Sequence, residues 1–204
     1  MSTKKNANTK DILSIGLDTQ QDCACLNKVA TKIIKGRDFK HVLSLFHELL
    51  SFTGDEEESE LIYVEKRMED IQRELTAERI EILKEEKLLY GLRMTNDSYV
   101  KRFDDDVEEI ALFLKTHQFS FNEYVGEKRT NELQTTKTVA ISFSEHLKLS
   151  ENGLHAMADR IGEIQTNVIP LLRGRIALRA SNDTLEDAQK LLRENVSELK
   201  KLSK

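Results

Sequence analysis

A chain of 204 residues has the length of one domain, or of one domain with tails. Its apolar share is low at 39% and its charged share high at 33%, while one proline and eight glycines leave too few turn signals for an all-β fold. The net charge of −5, with acidic and basic residues interleaved, supplies no strong field for nucleic acid, so no nucleic-acid partner is expected.

Residues 1–10 hold only Met1 and Ala7 as apolar side chains, too few to offset the entropy of ordering, so 1–21 reads as a flexible N-terminus. It lacks the apolar core of a secretory signal, and no run of 18 apolar residues occurs to span a bilayer. Cys23 and Cys25 are too few and too close for a disulfide framework, which points to a reducing compartment. A cytoplasmic protein is expected.

Between 26 and 52, Leu26, Val29, Ile33, Ile34, Val42, Leu45, Phe46 and Leu49 recur at helical spacing on either side of Gly36. This predicts short helices over about 22–35 and 38–52, with Gly36 in the left-handed position that ends the first. The acidic run 55–60 reads as a solvated linker or the first turn of the next helix, so that 22–58 forms one segment of short helices and linker.

From Leu61 a heptad pattern takes over. Leu61, Met68, Leu75, Ile82, Leu89, Phe103 and Ile110 hold one seam position and Val64, Ile71, Leu92, Tyr99 and Phe113 the other, interrupted by Glu78, Glu85, Asn96 and Asp106. Such spacing keeps one apolar stripe on one side of a helix and asks for a partner helix. The predicted helix covers 59–116, roughly 85 Å at 1.5 Å per residue. Residues 117–131 lose the phase and read as a hairpin, with Phe119, Phe121 and Tyr124 folding back on the helix ends.

A second seam follows over 133–202: Leu133, Ala140, Leu147, Leu154, Ile161 and Val168, paired with Phe143, Met157, Ile164, Leu171, Leu178, Leu185, Leu192 and Leu199. Gly153, Gly162, Gly174 and Pro170 together oppose a continuous helix by roughly 6 kcal/mol. The unbroken seven-residue count argues the other way, for one helix kinked near Pro170. The fold expected is all-α: an elongated antiparallel coiled-coil hairpin of two long helices over 59–204, preceded by short N-terminal helices. Because the second helix outruns the first, its last third is expected to meet the N-terminal helices or a second subunit, with a free C-terminal seam serving a protein partner or self-association.

The stretch Ile164-Gln165-Thr166-Asn167-Val168-Ile169-Pro170-Leu171-Leu172-Arg173 resembles the TelA-like toxic-anion-resistance (tellurite-resistance) family of bacteria, which carries an Ile-Gln near a later Ile-Pro-Leu-Trp. The likeness extends weakly over 85–204 and is best from 160 to 180. Leu172 stands where the family commonly has tryptophan, Gly174-Arg175 replaces a usually polar pair, and the chain is short for a member. The resemblance implies a role in tolerance of tellurite or envelope stress. It carries over no catalytic residue.

Among candidate sites, Gln165, Ile169, Pro170, Leu171, Leu172 and Arg173 form the expected kink and docking region. Cys23 and Cys25 are soft ligands that suit an oxyanion such as tellurite, although two thiols without a histidine fall short of a zinc site. The histidines His41, His47, His117, His146 and His155 form no metal-binding pair, and no nucleotide-binding or nucleophile motif is present. Arg173, Arg175, Arg179, Lys190, Arg193, Lys200, Lys201 and Lys204 make the C-terminal region the most basic, which suits peripheral contact with an anionic membrane or ordinary pairing with interleaved acids. The sequence thus favours a non-enzymatic interaction or scaffold protein without a cofactor. Thiol-dependent oxyanion handling and a membrane-surface stress scaffold are the alternatives.

Overall fold

The computed structural model describes residues 11–52, 58–117, 120–178 and 182–202, and these are helical with short connections. In chain order they are α1 (Leu17–Lys35), α2 (Lys40–Ser51), α3 (Glu58–Thr116), α4 (Ser120–Glu163), a π-helical segment (Ile164–Val168), α5 (Ile169–Leu178) and α6 (Asn182–Leu202). The fold is all-α, and the two long helices pack together as an antiparallel hairpin. Residues 1–10 of the expected flexible segment 1–21, residues 55–57 of the acidic run, Phe119 and the Phe121 side chain lie outside the described residues, whereas 11–21 holds the buried Ile12 and Ile15 and the start of α1 at Leu17.

The seam has a simple arithmetic. On α3, Met68, Leu75, Ile82, Leu89, Asn96, Phe103 and Ile110 are buried, one in every seven; on α4 the same holds for Leu133, Ala140, Leu147, Leu154 and Ile161. The count does not begin at Leu133. Gly126 and Arg129 are buried on the same stripe, so what looked in the sequence like lost phase is a seam whose first occupants are not apolar. The hairpin expected over 117–131 does not extend over 120–131, since α4 is already helical from Ser120. Tyr124, expected to fold back, is 68% exposed.

Two compact units share these helices. The first contains residues 1–35 and 88–150, the second 36–87 and 151–204. In the first, Asp104 meets Lys137 and Asp97 meets Ser144, so seven residues down α3 match seven up α4. Alongside them runs α1, parallel to α4: Arg129 reaches the Ile15 carbonyl, and Gln20 donates to Thr136 at 2.8 Å. The positive φ among the described glycines belongs to Gly16 (73°), ahead of α1, and not to Gly36 behind it. A Cβ at Gly16 would lie 2.8 Å from the Leu133 side chain and 2.9 Å from the Asp106 carboxylate, so both backbone angle and contact demand glycine.

In the second unit Glu86 meets His155 and Thr76 meets Gln165, again equal steps in opposite directions. Helix α2 buries Val42, Leu45, Phe46 and Leu49. It is also tied to α3 by Arg67, which donates to both Glu48 oxygens at 2.6 and 2.7 Å and to Glu74 at 2.8 Å.

The long C-terminal helix departs from expectation. The chain runs helically through Asn152-Gly153 and past Pro170, but α5 ends at Leu178 and α6 starts afresh at Asn182. Helix α6 then turns back, touching α2, α5 and the π segment, with Arg160 reaching Glu198 at 3.3 Å. Its stripe of Ala188, Leu192, Val196 and Leu199 is buried within the chain's own second unit. Of the occupants expected for the C-terminal seam, the N-terminal helix α2 is one that α6 meets, so this stripe is not left free. A start signal was present in Asn182-Asp183-Thr184 with Glu186, residue types that favour a helix N-terminus. The heptad count hid it, because a repeat specifies a stripe and not the helix that covers it.

Pro170 comes two residues after a wider turn, the π segment Ile164–Val168. Without an N–H, Pro170 cannot serve the Thr166 carbonyl as an α-helix requires. The preceding five residues adopt π geometry, with the Ile169 N–H donating to the Ile164 carbonyl five residues back. Through it and beyond, Val168 and Arg175 keep the seven-residue count from Ile161, while the other seam position changes occupant. Leu171, expected on the seam, is 38% exposed, while Leu172 is 2% exposed.

Leu172→Ala is accordingly expected to cost about 2–5 kcal/mol and Leu171→Ala about 1 kcal/mol or less in urea denaturation; equal losses would contradict this division of core from surface. A second test uses pH. The hydrogen bonds from Arg67 hold the Glu48 carboxyl below its ordinary value of 4.5, so its contribution is complete above that value and fades as pH falls through the folded one. Between about pH 6 and about pH 3 the wild type should lose more stability than Glu48→Gln, as read by denaturation at each pH.

Candidate functional site

The first unit carries a polar layer inside its seam. Asn96 occupies the heptad position between Leu89 and Phe103 and is fully buried. A buried amide has two donors and one acceptor oxygen to satisfy. Its Nδ2 donates to the Ala140 carbonyl at 2.7 Å and to Ser144 Oγ at 2.8 Å, and its Oδ1 accepts from the Cys23 thiol at 3.6 Å. Ser144 in turn donates to Asp97 at 2.5 Å. Three helices, α1, α3 and α4, are joined through one side chain.

This settles where the two thiols lie. Cys23 is buried in the polar layer and Cys25 is exposed. Two residues apart on a helix, they point about 200° apart, so they do not converge on one ligand. Burial pushes the Cys23 thiol above its ordinary value, partly opposed by the Asn27 amide, which donates to its sulfur at 3.9 Å. A thiol kept protonated is a poor nucleophile and a poor ligand.

In the second unit the π segment is fastened to α3. Gln165 Nε2 donates to the Gln72 carbonyl at 3.2 Å and to Thr76 Oγ1 at 2.7 Å. Gly162 lies under Arg79, where a Cβ would come within 3.1 Å of the guanidinium carbon. Of the expected docking region, Ile169 and Leu172 belong to the core, Gln165 is a cross-link, Arg173 is half-buried, and Pro170 and Leu171 face outward. The structure therefore divides that run between an inner and an outer face. A shallow groove of about 470 Å³ beside it is lined by Glu69, Gln72, Arg73, Thr76 and Arg173.

The histidines and cations are distributed. His155 bridges Glu86 at 3.1 Å and Asp159 at 3.4 Å, His41 lies 3.3 Å from Glu74, and His117 stacks on Phe113 at 4.3 Å. His146 lies near Phe143, and His47 is exposed. Among the described residues, no group of three or more His, Cys, Asp or Glu is placed to hold a metal ion. Arg175 is buried and Arg173 half-buried, so they leave the basic surface proposed from the sequence, whereas Lys190, Arg193, Lys200 and Lys201 are exposed; Arg179 and Lys204 lie outside the described residues. No described helix is long and apolar enough to cross a membrane.

Sequence reasoning registered Asn96 only as an interruption and missed Ser144, Asp97 and Arg129 altogether. Asn96 had a signal, its place in the heptad; the others had none, since their roles arise only once helices meet. Comparison with protein families, with characterised proteins and with solved structures finds no match to this chain.

Asn96→Ala would leave Ser144 and the Ala140 carbonyl short of a donor and Cys23 short of an acceptor. A loss of about 1–3 kcal/mol is expected in urea denaturation. An unchanged midpoint would show that the layer contributes nothing to stability.

Proposed function

We propose that this chain is a non-enzymatic helical interaction or scaffold protein of the bacterial cytoplasm, serving tolerance of toxic anions such as tellurite or of envelope stress. The observation that carries the non-enzymatic part is how its reactive side chains are used. Cys23 is spent in a polar layer, His155 and His41 sit against carboxylates on the helix surface, and Gln165 fastens one helix to another. Each holds helices together, and none is aimed into an enclosed cavity. The toxic-anion setting is supported by the resemblance of the Ile164-to-Arg173 stretch to the TelA-like family. With the C-terminal stripe closed by the chain itself, a protein partner would meet the outer face of the π segment and α5, where Thr166, Asn167, Pro170 and Leu171 are exposed.

Expressed in a tellurite-sensitive bacterium, the chain should raise tolerance, and the Cys23→Ser/Cys25→Ser double variant should raise it equally. Leu192→Asp, which places a charge in the buried stripe of α6, should abolish the effect. Failure of the double variant would return the chemistry to the thiols. Failure of the wild type would remove the toxic-anion setting.

A further inference from the structure

Helix α1 is held differently from every other described element whose buried face is known. Its buried residues are Thr19, Cys23, Leu26 and Ala30, of which only Leu26 is a large apolar side chain. By contrast α2, a shorter helix, buries Val42, Leu45, Phe46 and Leu49. Hydrophobic attachment grows with the apolar area removed from water, so small and polar residues attach a helix weakly. Among its other large apolar side chains, Leu17 is 43% and Val29 48% exposed, and Ile33 and Ile34 are partly buried.

Polar contacts supply what remains, and they are few. Along the body of α1 they are Gln20 to Thr136 and the Cys23 thiol to Asn96, the latter a 3.6 Å bond from a weak donor. Ahead of α1 the chain is held more firmly. Ile12 is fully buried, and Arg129, itself 4% exposed, donates from Nε and Nη2 to the Ile15 carbonyl at 3.0 and 2.9 Å. Gly16, at φ 73°, separates the anchored turn from the weakly held helix. What α1 covers is strongly apolar: Phe103, Ile110, Leu133 and Ala140, which share one core cluster with Ile15 and Cys23. The α3–α4 seam beneath it buries Leu89, Phe103, Ile110, Leu133 and Leu147.

We infer that α1 is a strap, anchored at Ile12–Ile15, that lifts from the α3–α4 seam as a local event while those two helices stay paired. Proteins open in cooperative pieces whose free energies range from near zero to the global value, and the piece with the least apolar attachment opens first. Lifting uncovers Asn96, Phe103 and Ala140 without unpairing the hairpin. The device stands independently of the scaffold role, although it would give a scaffold a seam that is covered by default.

The chain carries its own reporter, because Cys23 is buried only while α1 is docked and Cys25 is exposed throughout. In a full-length Cys25→Ser variant, Cys23 is labelled with iodoacetamide under native conditions, and its rate is divided by the rate in concentrated urea to give a protection factor. Hydrogen exchange read by mass spectrometry supplies protection factors for α1 amides and for amides around Phe103 and Ala140. The expected result is that Cys23 and the α1 amides are at least tenfold less protected than the seam amides. A difference below tenfold would mean that α1 leaves only when the unit unfolds, and would overturn the inference.

Discussion

Everything in this chain rests on one stripe of side chains, one residue in seven, that vanishes between the two long helices. A helix of this length cannot be stabilised by propensity alone; it needs a partner to take its apolar face out of water. Because that stripe repeats with strict period, it brings the two sets together in antiparallel pairing without by itself choosing among registers seven residues apart. Within each unit the ion pairs and hydrogen bonds across the seam obey it, step for step. Asn96 makes the register specific. Elsewhere on the stripe a slip exchanges one apolar residue for another, but a buried amide that loses Ala140 and Ser144 finds no equivalent donors and acceptors in hydrocarbon.

The same amide shows how position, more than residue type, assigns a role. A thiol beside Asn96 becomes a hydrogen-bond donor in a dry interior, while an identical thiol two residues later faces solvent. Read from the chain, Cys-Ala-Cys is a pair of soft ligands; folded, it is one structural group and one surface group. His155 and His41 follow the same logic, each set against carboxylates of a neighbouring helix.

At the other end of α4, a missing hydrogen changes the architecture. The proline at 170 has no N–H to give, and the chain answers with a π turn that adds one residue to the local period. Past it Leu171 lies out of the core and Leu172 in it, while Val168 and Arg175 keep the count from Ile161. The second unit is completed there, with α6 folding back to lay its buried stripe of Ala188, Leu192, Val196 and Leu199 against the π segment, α5 and α2.

By itself the sequence determined the helical class, the pairing of two long helices and nearly every residue of their seam. Those follow from periodicity, and periodicity is a property of a single helix with one dry side. It also marked Asn96, Pro170 and the stripe of α6 as unusual or apolar positions. Only the tertiary structure decided that Gly126 and Arg129 continue the seam, that Leu172 replaces Leu171, that Cys23 and Cys25 part company, and that α6 covers its own chain. In each case the deciding quantity is a contact between residues far apart along the chain, and local spacing carries no record of which surface will arrive opposite.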